Sequence, residues 1–350
     1  MPDKLIEGEV CWRSPSNIAF VKYWGKYGTQ LPKNASLSMT LSESYTITSI
    51  DFKSQQKNPK REFYFNGEFN EAFSARIWKY IASLCGIFPF LEEMDLIIRS
   101  KNSFPHSAGI ASSASAMSAL ALCLTDIERL VYGTLIKDDA FYKKASYIAR
   151  LGSGSAARSV YGGYSIWGQA KSAHVKSENK FAIDFNSEIH PKFQQLQDAI
   201  LIVDEGQKKV SSSVGHSLMN NHPYADDRLA QANKHMEELA LALKEGNTAA
   251  FIKIVETEAL SLHALMMSSD PWFILMKPQS LEIINKVQEF REKTGKFICF
   301  TLDAGPNVHL IYSKDDEVEI NKFIEKELKQ FCSKRHVIFD EIGEGPLKIK

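Results

Sequence analysis

The chain has 350 residues, 44% of them hydrophobic and 24% charged, with 42 basic and 42 acidic side chains giving a formal net charge of zero. That composition suits a globular protein with a substantial core and lacks the global basic field of a nucleic-acid binder. The cysteines, Cys11, Cys85, Cys123, Cys299 and Cys332, are odd in number, scattered and never in a CxxC pair. This argues for a reducing compartment and against a zinc knuckle or a disulfide framework. The N-terminal stretch lacks the apolar run of a signal peptide, and no apolar run reaches the length of a membrane span. A cytoplasmic location is therefore expected, with no membrane or nucleic-acid partner.

In chain order, residues 9–13 read as a short strand leading into SPSNIAFVKYWGK (14–26), where Ile18, Phe20 and Val21 sit beside Lys22, Tyr23, Trp24 and Lys26. Lysines among aromatics either snorkel from a half-buried strand or serve as the cations of an anion site. A hydroxyl-rich stretch (31–44) follows, then the alternating strand YTITSIDF (45–52). Asn66-Gly67 within REFYFNGEF marks a hairpin. A helix over 72–85 and a strand over 95–100 deliver the chain to PHSAGIASSASA (105–116). Gly109 frees the backbone there, Ser107, Ser112, Ser113 and Ser115 offer hydroxyls, and the amides near Ser112 and Ser113 open the next helix. Such a helix start is a natural phosphate seat, although a serine-rich cap before a tightly packed helix reads the same way.

Helices are expected over 114–130 and 138–151, the latter capped by Asp138. A loop of small residues and hydroxyls, GSGSAARS (152–159), comes next, followed by a turn and a strand in SVYGGYSIWG (159–168). Polar residues at 171–180 and 186–191 place a lobe boundary near Asn186, dividing the chain into 1–186 and 187–350. The second half opens with a strand at 199–204 and GQKKVSSSVGH (206–216), in which Lys208 and Lys209 precede three serines. Helices then cover 226–245, 248–267 and 280–294. Two β-runs within 297–313 meet through Asp303-Ala304-Gly305-Pro306-Asn307, and a helix over 318–331 and a strand over 336–342 complete an α+β pattern.

The patterns GxxxxGK[ST], GxGxxG after a strand, HExxH and GxSxG are all absent in usable form. That removes ordinary P-loop NTPases, Rossmann dehydrogenases, zincins and α/β-hydrolases as first choices. What remains is a set of hydroxyl- or cation-rich loops and Asp303, a carboxylate at the end of the apolar run 297–302. Burying it is costly unless it is paired. Two readings stay open: it caps the Gly-Pro turn, or it is a general base partnered by a lysine.

Taken in order, SPSNIAFVKYWGK, the serine-rich stretch from Pro105, GSGSAARS, VSSSVG and LDAGPN closely resemble the diphosphomevalonate decarboxylase family. That family belongs to the superfamily of galactokinase, homoserine kinase, mevalonate kinase and phosphomevalonate kinase. The phosphate loop is common to the superfamily, whereas NIAxxKYWGK together with DAGPN is specific to the decarboxylase branch. The resemblance implies two lobes, an N-terminal one like ribosomal protein S5 domain 2 and a ferredoxin-like C-terminal one with added helices. It implies ATP-dependent conversion of (R)-5-diphosphomevalonate to isopentenyl diphosphate, with ATP and Mg2+ as cofactors, no assignable metal ligands and a homodimeric state.

Carried over by motif, Ser107, Gly109, Ser112 and Ser113 would hold ATP phosphates, and Tyr23 and Lys26 the substrate diphosphate. Ser153, Ser155 and Arg158 would form one substrate loop, with Arg158 reaching the C1 carboxylate or the diphosphate, and Ser211 and Ser212 a second. Asp303 matches the catalytic aspartate beside the C3 hydroxyl, and Lys22 the lysine that holds it. The chain departs from the family's pattern at Pro105-His106-Ser107, at Ala157 and at Val214, and no arginine follows the 211–213 serines; which group completes the diphosphate site stays open, and Lys208 or Lys209 could substitute from the same loop. The alternatives are a relative acting on mevalonate 5-phosphate (a monophosphate decarboxylase or mevalonate 3-kinase), or a non-catalytic binding protein of the same fold.

Overall fold

A computed structural model describes residues 6–55, 58–105, 110–171, 175–206 and 212–350. In chain order the strands and helices begin with β1 (Glu7–Val21), the two-strand ribbon β2 (Lys26–Tyr27) and β3 (Leu31–Pro32), and β4 (Ser36–Ser54). Then come β5 (Arg61–Phe65), β6 (Glu68–Phe69), α1 (Glu71–Ser83), β7 (Met94–Asn102), α2 (Ser112–Tyr132), α3 (Asp138–Gly152), β8 (Tyr164–Trp167) and β9 (Ile183–Asp184). The second half holds β10 (Leu196–Leu201), α4 (Ser212–Leu218), α5 (Ala225–Glu245), α6 (Thr248–Met267), α7 (Pro278–Thr294), β11 (Ile298–Thr301), β12 (Val308–Ser313), α8 (Glu317–Phe323), β13 (Val337–Glu341) and β14 (Leu347–Lys348).

The larger sheet runs β14-β1-β4-β7-β5-β6, with β8 also on β4 and β9 on β8. The smaller, fully antiparallel sheet runs β11-β12-β10-β13. Strand alternation makes the smaller sheet the divider between two cores. Ile200, Cys299 and Ile311 join a core shared with β1 and β4, while Ala199, Leu201, Phe300 and Leu310 pack against α7 and α8. The first half of β1 (Val10, Trp12) instead supports the core under α2 and α3. A register shift between Pro15 and Asn17 separates it from Ile18 and Phe20, which join the shared core. The sheets are also tied through Asp340, whose carboxylate accepts from the N–H groups of Ser42, Glu43 and Ser44 at 2.8 Å each.

This is the expected α+β class, with several local differences. β1 does not stop at Arg13 but runs to Val21, because its hydroxyls are buried with partners: Ser14 bonds Ser118 and Ser16 bonds the Ile110 carbonyl. Asp138 does not cap α3. Lys137 occupies that position without a side-chain cap, and Asp138 and Asp139 sit in the first turn, where negative charge favours the helix dipole. GSGSAARS is not an open loop, since Gly154–Val160 is a 3-10 turn. The last helix is short and passes into a π-helical turn at Ile324. The Asn66-Gly67 hairpin has positive φ at both turn residues, as its type requires. Among the described residues no helix is long and apolar enough to cross a membrane.

Candidate active site

The end of β1, the N-terminus of α2, the Gly154–Val160 turn and the β11–β12 connection enclose a cleft of about 800 Å³. Lys22, Lys26, Arg76 and Arg158 line it, and Asp303 is the only carboxylate among its described lining residues. Four cations facing one carboxylate call for a ligand with several negative charges.

Lys22 follows β1 directly and reaches across to the second half of the chain, placing Nζ 3.1 Å from Oδ1 of Asp303. The Lys22 side chain is 2% exposed and that of Asp303 26%. Burial lowers the Lys22 pKa, and the Asp303 carboxylate opposes the shift. The turn after Asp303 is closed by its main-chain oxygen, which accepts from Gly305 N–H at 2.7 Å. A backbone bond thus closes this turn, and the Asp303 side chain pairs with Lys22 and lines the cleft. The lysine partner that the general-base reading requires is therefore present.

Arg158 is 2% exposed and is held by neutral oxygens. Its Nε donates to Ser38 Oγ at 2.9 Å and Asn17 Oδ1 at 3.3 Å, and Nη1 to Ser36 Oγ at 2.6 Å. Burial pushes its pKa down to about 10, against the pull of Asp303. Asn17 also donates to Ser159 Oγ and the Ser155 carbonyl, locking the loop that carries Ser153 and Ser155 to β1. Gly154 is required there, because a Cβ would stand 2.7 Å from the Trp167 ring and 2.9 Å from the Tyr23 hydroxyl. That hydroxyl is buried without a hydrogen-bond partner, an orphaned donor at the cleft that a ligand oxygen would satisfy. Lys26 donates to Gln30 at 3.0 Å, and burial, then nearby Arg76, lowers its pKa.

The α2 N-terminus opens into the cleft at Ser112 and Ser113, preceded by Ala111 in a left-handed conformation (φ 45°) and with no side-chain cap. Its first N–H groups and dipole face the same space as the cations. Ser113 Oγ lies 3.2 Å from Ser153 Oγ, joining the two serine loops. Beyond them the cleft turns apolar, with Phe63, Phe65, Phe73, Ile77 and Ile98 beside Thr48, Ser100 and Asn102. A flat ring with a polar edge fits such a wall.

The structure thus brings together Lys22, Tyr23, Lys26, Ser112, Ser113, Ser153, Ser155, Arg158 and Asp303. Ser107, Gly109, Ser211, Lys208 and Lys209 lie outside the described residues, and Ser212 opens α4 but its side chain is not described. Sequence reasoning missed Asn17, Arg76 and His216. Asn17 stood inside a quoted motif. Arg76, on α1, carried no motif at all. His216 ended the GQKKVSSSVGH stretch and takes the Gly25 N–H on Nδ1 at 3.0 Å, its ring against Tyr23 and Trp24. Burial, helped by Lys26, pushes its pKa down to about 3, so it is neutral.

Residues 14–182 match the model of the diphosphomevalonate decarboxylase-like N-terminal domain, and residues 199–346 that of the mevalonate 5-diphosphate decarboxylase C-terminal domain. The chain is 30% identical to the diphosphomevalonate decarboxylase of Saccharomyces cerevisiae over 89% of its own length and 80% of that protein's. Its fold is similar to that of mevalonate diphosphate decarboxylase from Staphylococcus aureus (TM-score 0.81, 29% identity, 100% of both chains). It is equally similar to a structure described as MDDEF in complex with MVAPP, AMPPCP and magnesium (TM-score 0.81, 27% identity, 99% of this chain and 100% of that one).

Proposed function

The chain belongs to the diphosphomevalonate decarboxylase family, and from that premise we propose how its cleft divides the work. The enzyme converts ATP and (R)-5-diphosphomevalonate to isopentenyl diphosphate, ADP, phosphate and carbon dioxide. The observation that carries the residue assignment is the Lys22–Asp303 pair, in a cleft that has four cations and one carboxylate among its described lining residues.

Asp303 orients the C3 hydroxyl and accepts its proton as the γ-phosphoryl group arrives, and Lys22 holds that carboxylate in place. Loss of phosphate from C3 leaves positive character at a tertiary carbon. The C1–C2 bond then releases carbon dioxide, and its electron pair becomes the new double bond. Arg158 meets the C1 carboxylate or the diphosphate with a guanidinium already oriented by Ser36, Ser38 and Asn17. Tyr23, Lys26, Ser153, Ser155 and Arg76 receive the diphosphate end. The α2 N-terminus with Ser112 and Ser113 takes ATP phosphates, and the Phe63–Phe65–Phe73 wall takes the adenine.

Among the described residues no group of three or more His, Cys, Asp or Glu could hold a metal. The donor set fits a magnesium ion carried mainly by nucleotide phosphates, with the Ser112, Ser113 and Asp303 oxygens as the protein's contribution. When bound, the ion supplies charge neutralisation for phosphoryl transfer. The division into lobes 1–186 and 187–350, a homodimer and a cytoplasmic location belong to the same proposal. A monomeric mass in solution scattering would remove the dimer.

The test is incubation with ATP, magnesium and each mevalonate phosphate, following carbon dioxide and ADP together. Equimolar release from the 5-diphosphate, and little from the 5-monophosphate, is expected. Equal turnover of the monophosphate, or ADP without carbon dioxide, would favour the monophosphate decarboxylase or the 3-kinase instead.

A further inference from the structure

We propose that α6 is the template that sets the distance between Lys22 and Asp303, with Glu258 and His263 as positioning residues that hold the main chains of that pair. The inference rests on the reading of Lys22 and Asp303 as the catalytic pair.

The Glu258 carboxylate is fully buried and accepts four hydrogen bonds. Two come from the Arg228 guanidinium at 2.6 Å each, one from His235 Nδ1 at 2.6 Å and one from the backbone N–H of Lys22 at 2.8 Å. Arg228 also donates to the Lys22 carbonyl at 3.1 Å, and Asn34 Nδ2 donates to the same oxygen at 2.9 Å. Both polar groups of the Lys22 main chain are therefore gripped by side chains. A strand that has just ended normally frays, since its last N–H and C=O lose their ladder partners. Here the residue after β1 is held, and held by a charge cluster from α5 and α6 in the other half of the chain.

Five residues further along α6, His263 is 2% exposed and its Nε2 stands 3.1 Å from the main-chain oxygen of Asp303. A carbonyl can only accept, so that nitrogen carries the proton. One rigid helix thus fixes the backbones of both partners, which come from positions 281 residues apart. A side-chain pair that must stay at 3.1 Å while a substrate enters gains from anchors that do not touch the substrate. Neither Glu258 nor His263 lines the cleft, so truncating them leaves binding contacts in place.

The experiment measures kcat and KM for both substrates, with melting temperatures, in two sets of variants. Glu258→Leu removes the acceptor of the Lys22 N–H but alone strands a buried arginine, so it is paired with Arg228→Met, which removes both charges together. We expect the double variant to lose at least tenfold in kcat with both KM values within about twofold. The second set compares His263→Gln, whose amide can still donate to the Asp303 carbonyl, with His263→Leu, which cannot. His263→Gln should keep kcat within about threefold while His263→Leu falls at least tenfold. Wild-type kcat in the folded double variant, or equal kcat in the two His263 variants, overturns the proposal; if the double variant does not fold, the His263 pair decides. Asp303→Asn, run alongside, separates the two levels. Normal turnover in that variant sinks the catalytic reading, whereas its loss beside unaffected α6 variants sinks only the template.

Discussion

Nζ of Lys22 and Oδ1 of Asp303 stand 3.1 Å apart, the lysine side chain 2% exposed and the aspartate 26%. Asymmetric burial gives the two members different tasks. The lysine is withdrawn from solvent and has its charge destabilised by burial, while the carboxylate keeps an open side toward the cleft. Asp303→Asn preserves size and removes basicity, so kcat should fall by about a hundredfold or more, the usual scale for a lost general base. The melting temperature should change modestly, because asparagine keeps the size of the side chain and an oxygen for Lys22 Nζ. Lys22→Met should show a related loss. Steady-state kinetics of the double variant should be far from additive, and simple multiplication of the two effects would refute a joint role.

Arg158 offers a second test, because its charge and its geometry can be separated. Arg158→Lys keeps a cation but leaves Ser36, Ser38 and Asn17 without their donor in a buried setting. Each stranded acceptor costs about 1–3 kcal/mol, so a lower melting temperature is expected. kcat/KM for diphosphomevalonate should fall by roughly a hundredfold, since an ammonium cannot reproduce the fork. Unchanged kcat/KM would mean that charge alone suffices at this position.

Much of the site was legible because loops concentrate hydroxyls and cations in short, recognisable strings. Asp303 stood out as a carboxylate ending an apolar strand, and the structure gives it the lysine partner that one of its two readings required. The extent of β1 was not legible. Residues 14–22 are buried on both faces, so Ser14, Ser16 and Asn17 break the alternation that marks a half-buried strand. Their partners, Ser118, the Ile110 carbonyl and Ser159, lie far along the chain. Glu258, Arg228 and His235 were equally hidden. On an amphipathic helix a charge reads as a solvated face, and only the tertiary structure turns these three inward around the Lys22 main chain. Arg76 is exposed on its helix and acquires meaning only from the cleft beside it.

Acid stability should report on His216. Its pKa drops from 6.5 to about 3 in the folded protein, so below pH 6.5 the unfolded chain takes up a proton that the folded one refuses. Its stabilising contribution is complete above pH 6.5 and drains as pH falls toward 3, by about 1 kcal/mol per pH unit. His216→Asn keeps an acceptor for Gly25 N–H and does not titrate. Its melting temperature should therefore change less between pH 7 and 5 than that of the wild type. Parallel pH profiles for the two proteins would show that His216 is not the group responsible. Glu258, held down to about 2 from 4.5 against its own burial by Arg228, His235 and the Lys22 N–H, adds a separate loss only below pH 4.5.

The diphosphate end of the cleft is open to a discrimination test. Lys26 has a neutral partner in Gln30, and burial together with Arg76 makes its charge costly until an anion arrives. Removing either cation should therefore weaken most the ligand whose negative charge lies against it. Lys26→Ala and Arg76→Ala should each raise KM for diphosphomevalonate by about tenfold or more while moving KM for ATP by less than about threefold. Relief of repulsion predicts that Arg76→Ala raises the pKa of Lys26. Higher salt should narrow the gap between wild type and variants, because screening acts on the same attraction. Should either variant lose ATP affinity as strongly as substrate affinity, that cation belongs to the nucleotide phosphates beside the α2 N-terminus, and the diphosphate must be held by other groups.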